Sequence, residues 1–208
     1  MALLPFGLVF ILFVVLGARL LRSARETGGA ELWLAVFFLA AAAAIPFRLA
    51  MLEPGLGVDA WAPSANLVGH LATSVAICGF IVFVWRVFRG ADRWARGLAA
   101  GLIGAQLASL GALIVLGGYR DERSTALLVC NAVRALPFAW GFLESLRYHR
   151  LMKRRLRMNL ADSVVANRFG LFSIWTGALF LLPLSILVVR LAIAQYTWAT
   201  PRFRPLNA

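Results

Sequence analysis

Six stretches of predominantly apolar residues, at 3–21, 30–51, 65–86, 97–117, 125–146 and 169–192, alternate with short segments where charges, glycines and prolines collect. At 1.5 Å of rise per residue, helices of about twenty residues match a hydrocarbon core roughly 30 Å thick. The pattern predicts an all-α fold, a polytopic six-helix transmembrane bundle forming a single integral membrane domain over residues 1–208. Polar residues inside the spans recur at helical spacing. Asn66, His70 and Thr73 fall on one face of the third span, and Asn131, Arg134, Phe138, Gly141 and Ser145 on one face of the fifth, so both stripes are expected to turn toward other helices and away from lipid.

Small residues mark the fourth span. Gly97, Gly101, Ala105 and Ser109 recur every fourth position, and Gly104, Ala108 and Gly111 form a second ridge. Such spacing lets helix backbones approach closely, which places this span in the middle of the bundle and makes its face a candidate homo-oligomer contact.

Composition agrees with the pattern: 62% of the residues are hydrophobic and 14% charged, outside the usual range of a globular domain. With six spans and short loops, no folded extramembrane kinase, nucleotide-binding or protease domain fits in the chain. The net charge of +12 has a topological meaning here. Fourteen basic residues fall in the segments 19–25, 86–96 and 147–168, against four in the alternate segments and tail. By the positive-inside rule the basic segments are cytoplasmic and both termini outside, with the first span retained. The arginines then meet lipid phosphate, so nucleic acid is not an expected partner. Arg147, Arg150, Lys153, Arg154, Arg155 and Arg157, interleaved with Leu151, Met152 and Leu156, form the expected site for anionic headgroups along the membrane surface.

Arg134 is the costliest residue in this arrangement. About ten residues of helix separate it from either interface, and an arginine at such depth costs at least ~2.5–3.5 kcal/mol. No Asp or Glu stands at mid-depth in the other spans, so its expected partners are neutral: Asn131, Gln106, Thr73, Ser109 or backbone carbonyls. His70, Asn131, Arg134, Gln106 and Thr73 together make the candidate ligand-binding set, an outward-facing pocket for a small anionic or hydrogen-bond-accepting ligand. The equal alternative is an Arg134 satisfied by carbonyls and waters that pins the helix packing. Arg48 and Arg190 lie near helix ends, where they either snorkel toward headgroups or join the central site. Glu144 reads as an intrahelical partner of Arg147 or Tyr148.

Catalytic, metal and cofactor sites are not expected. His149, the second of two histidines, lies on the basic side, which argues against bis-histidine haem, and Lys153, the lone lysine, sits in a loop where it cannot form a mid-membrane Schiff base. Cys78 and Cys130 read as small buried residues. Nothing resembles a P-loop, a nucleophile elbow or a pair of acids at one depth. Arg154 to Trp175, and more faintly Thr27 to Phe38, resemble stretches of uncharacterised multi-pass bacterial membrane proteins. That resemblance implies a bacterial inner membrane and carries no activity. The functional expectation is a binding or sensory module acting through a partner protein, with transport of a small anion or polar solute as the alternative and an intramembrane enzyme third.

Overall fold

The computed structural model describes residues 3–27, 29–52, 62–120, 124–158, 160 and 162–199. They form six helices and no strand: α1 (Leu3–Thr27), α2 (Glu31–Leu52), α3 (Ala62–Arg89), α4 (Arg93–Val115), α5 (Thr125–Arg157) and α6 (Ser163–Ala199), with a 3-10 turn at Gly118–Arg120 between α4 and α5. Five helices are long and apolar enough to cross a membrane, while the apolar stretch described for α2, Glu31–Phe47, is shorter. The chain is a helical membrane protein. Prolines at 46, 137 and 183 lie inside helices that run on past them, as membrane helices tolerate when neighbours satisfy the freed backbone groups.

Local chemistry sets the helix boundaries. Ser124 caps α5, its Oγ accepting from the Leu127 amide at 3.2 Å while donating to the Gly118 carbonyl at 3.0 Å. Asp162 Oδ1 accepts the Val164 amide at 2.8 Å at the start of α6. Gly117, at φ 64°, ends α4 in the left-handed conformation that a glycine adopts without strain.

Packing is sequential with one centre. α1 packs on α2, α2 on α3 and α5 on α6; α3 also meets α4 and α5. The expectation for α4 is therefore overturned, because α3 is the central helix and α4 is peripheral. A Cβ built at Gly97, Gly101, Gly104 or Gly111 meets nothing within 4 Å, so that glycine face looks outward. The close backbone approach is made by Gly79 of α3 instead, where a Cβ would lie 3.0 Å from the Trp33 carbonyl oxygen and 3.3 Å from the Phe37 amide nitrogen of α2.

An aromatic cluster fills the basic half of the bundle. Phe80, fully buried, has ring centroids of Phe37, Phe138 and Trp175 at 5.5, 4.9 and 6.1 Å, and Phe172, Phe83 and Phe88 continue the stack toward Tyr148 and Phe169. Lipid tails are as apolar as these rings, so what the cluster contributes is dispersion and ring geometry more than transfer from water. At the basic end polar contacts tie neighbouring helices. Glu144 accepts from Arg89 Nε of α3 at 2.9 Å, and Arg89 also reaches Asp92 at 3.1 Å. The intrahelical partner expected for Glu144 thus gives way to a helix-to-helix pair, because α3 brings a guanidinium to the buried side of α5. Arg86 lies over the Trp33 ring at 5.8 Å and Arg96 over Trp85 at 5.7 Å. Tyr148 donates to the Phe88 carbonyl at 3.1 Å, and His149 Nδ1 donates to the Ala166 carbonyl at 2.8 Å.

Two glycine substitutions test this arrangement. Gly79→Val should destabilise the protein by about 1–3 kcal/mol through overpacking between α2 and α3, read as a lower unfolding midpoint in detergent. Gly101→Leu should leave that midpoint unchanged, and a drop would mean that another surface packs on α4.

Candidate functional site

Beyond the aromatic cluster, toward the end of the bundle where α1 begins and α6 ends, the helices enclose a cavity of about 500 Å³. That size lies in the usual range of small-molecule pockets. Its described lining is mainly apolar: Phe6 and Phe13 from α1, Phe37, Ala41, Ala44 and Ile45 from α2, and Leu179, Leu182, Pro183, Ile186 and Leu187 from α6. The polar groups come from three helices. Asn66, His70 and Thr73 line it from α3, Asn131 and Arg134 from α5, and Arg190 from α6.

Arg134 is 5% exposed. Its NH1 nitrogen lies 3.0 Å from His70 Nδ1 and 3.5 Å from Asn131 Oδ1, and NH2 approaches the His70 carbonyl at 3.4 Å and Ser74 Oγ at 3.5 Å. A guanidinium has only donors, so in this contact Nδ1 of His70 must accept and the imidazole is neutral with its proton on Nε2. One histidine thus offers two acceptors to the arginine, a ring nitrogen and its own carbonyl. That carbonyl also accepts from Ser74 Oγ at 2.9 Å, so its helical bond is shared with two further donors.

A third helix supports the arginine from behind. Gln106 of α4 is fully buried and donates from Nε2 to Ser74 Oγ at 3.0 Å, and Ser109 donates to the Gln106 carbonyl at 3.0 Å and contacts Cys130 Sγ at 3.8 Å. Gln106 therefore reaches Arg134 through Ser74 and does not line the cavity. Thr73 lines it, but its hydroxyl donates to the Gly69 carbonyl of its own helix at 2.7 Å. Asn66 Nδ2 is held by the Tyr119 carbonyl at 2.6 Å, which ties the top of α3 to the turn before α5.

Of the five residues expected at the pocket, His70, Thr73, Asn131 and Arg134 line one cavity and Gln106 stands behind it. Sequence reasoning missed Ser74, whose position beside Thr73 was the available signal, and left open whether Arg190 joins the site, where the structure puts it on the cavity. The side chain of Arg48 lies outside the described residues, as do Glu53, Asp59 and the tail from 200. No group of three metal-ligating side chains occurs among the described residues. On the basic end Arg147, Arg150, Lys153, Arg154, Arg155 and Arg157 are all exposed. Three of them, Arg147, Arg150 and Arg154, line a second, shallow cavity of about 310 Å³ with Leu143, Leu146 and Leu151. They belong to α5 itself, which at 33 residues is about 50 Å long and so exceeds the apolar core.

No family model, curated protein or solved structure matches the chain.

The Ser74 hydroxyl, which accepts from both Gln106 and Arg134, is the joint of this network. Ser74→Ala should cost about 1–3 kcal/mol by leaving the buried Gln106 donor without an acceptor. Ser74→Ala combined with Gln106→Leu should recover part of that loss, as a double-mutant cycle on unfolding midpoints would measure.

Proposed function

We propose that this chain is a membrane-embedded binding module whose cavity takes a ligand presenting an anionic or strongly hydrogen-bond-accepting group. The observation that carries this reading is the placement of Arg134 and Arg190 on one mainly apolar cavity, with His70 and Asn131 beside the deeper arginine. In low-dielectric surroundings a guanidinium attracts an acidic group far more strongly than in water.

The basic segments support one orientation. With the arginine-rich end in the cytoplasm, the cavity belongs to the outer half of the bilayer, and the exposed arginines of α5 meet anionic headgroups on the inner face. A bacterial inner membrane is the location the sequence resemblance favours. Binding is communicated to a partner protein through the basic end, where the arginines of α5 stand exposed.

Transport of a small anion is the second reading, and the basic half argues against it. A conduit needs polar groups at every depth. Here the hydroxyls of Ser145, Ser173 and Thr176 each donate to a carbonyl of their own helix, and Phe37, Phe80, Phe138 and Trp175 occupy the centre. Catalysis has less support still, since no acid lines the cavity among the described residues.

A cryo-EM map of the protein in lipid nanodiscs tests the reading. The expected outcome is non-protein density within hydrogen-bond reach of Arg134, reduced in Arg134→Met, and no chloride flux in liposomes carrying the protein. A dry, empty cavity would overturn the binding module, and chloride flux altered by Arg134→Met would establish the transport reading.

A further inference from the structure

Resting on the binding-module reading, we infer that the ligand is a single-chain amphiphile with a compact acidic head, taken sideways from the membrane between α1 and α6. The packing scheme supplies the route. Among the described residues α6 approaches α5 closely, but no Cα of α6 comes within 8 Å of α1 or α2. In the basic half large rings bridge that gap, Trp175 lying 5.6 Å from both Phe37 and Phe38. In the other half no such ring pair spans it among the described residues, and the cavity occupies the space.

The walls of the seam are greasy and reach the surface. Phe6 of α1 and Leu182 and Ile186 of α6 line the cavity and are 38%, 63% and 44% exposed. A small hydrophilic anion would gain nothing from those walls, whereas an alkyl chain lies against them at no cost in hydration, as it does among lipid tails. The closed end is polar. Phe138 and Trp175 both pack on Phe80, which places them at one depth. Arg134 lies four residues outward of Phe138, and Arg190 fifteen residues outward of Trp175. At 1.5 Å per residue the two backbones are roughly 16 Å apart along the axis. Arg134 is therefore the anchor for the head, within reach of Asn131 and His70, and Arg190 stands near the mouth, where its charge favours entry of an acid over a neutral lipid. The chain runs from Arg134 past Leu182 and Ile186 into the acyl layer.

Native mass spectrometry of the full chain released from neutral detergent, titrated with hexadecanoate, hexadecanol, acetate and inorganic phosphate, tests this. One hexadecanoate should be retained, at least about tenfold more tightly than hexadecanol, the equivalent of one charge-assisted hydrogen bond. Acetate and phosphate should not be retained. Arg134→Gln should abolish the preference for acid over alcohol and Arg190→Gln should weaken it. Leu182→Trp, which fills the seam and leaves the polar cluster intact, should weaken hexadecanoate alone and keeps the test valid if Arg134→Gln does not fold. Arg134-dependent retention of acetate or phosphate equal to that of hexadecanoate would overturn the amphiphile while leaving the binding module standing, as would an unchanged affinity in Leu182→Trp. Equal binding of alcohol and acid would overturn the acidic head, and binding of no probe at all would overturn the amphiphile, each leaving the binding module to the density at Arg134.

Discussion

A guanidinium held in the apolar interior of a bundle must be given acceptors by its surroundings, and much of the half of this protein away from the basic end is arranged around that demand. Arg134 draws on His70 twice, through Nδ1 and through the backbone carbonyl, and on Asn131 and Ser74. Ser74 is in turn held by Gln106 of α4. Three helices that would otherwise meet through interchangeable apolar side chains are thereby fixed in rotation and depth. Between lipid-like surfaces there is little other source of specificity, because apolar faces slide on one another without loss of hydration energy. Polar satisfaction chooses the register, and the small residues follow it. Gly79 is used where α2 and α3 must touch, while the glycines of α4 are left facing outward.

The two halves of the bundle solve opposite problems. In the basic half, interlocked rings fill the space where α2 and α6 stand too far apart for backbone contact, and Arg86, Arg89 and Arg96 close the end by stacking on tryptophans. There Ser145, Ser173 and Thr176 bond carbonyls of their own helices, and Tyr148 donates across to the Phe88 carbonyl of α3. In the other half the same wide separation is left unfilled, and the cost of an arginine is met by hydrogen bonds to neutral groups. A cavity at that position follows from the rings stopping at Phe37, Phe138 and Trp175. The polar stripe of α3, from Asn66 to Thr73, lines it.

Membrane class, helix number and the polar stripes were legible in the sequence because each depends on local periodicity and on costs set by the bilayer. The meeting of His70 with Arg134 was half legible: both were expected at one pocket, but which residue accepts depends on the rotation of α3 against α5. The position of α4 was misread for the same reason. Small-residue spacing says that a face can pack closely and does not say whether another helix is there. Glu144 shows the limit from the other side, since i, i+3 spacing offered a local partner and the buried orientation of α5 gave it Arg89 instead. Tertiary rotation, which periodicity leaves open, decided each of these cases.

That limit bears on how a functional arginine differs from a structural one in this fold. A residue needed only to pin the helices could be satisfied within the interface between α3 and α5, and would gain nothing from an adjoining void. Arg134 takes its acceptors from that interface and also borders a cavity that reaches to α6 and contains a second arginine. Filling that cavity with one more leucine-sized side chain would stabilise a purely structural bundle, since unfilled volume in a packed interior forfeits dispersion contacts. The chain instead has alanines at 41 and 44 among the α2 residues that line the space, beside Phe37 and Ile45. In the proposed binding module, the contacts that these alanines leave unmade are supplied by the ligand.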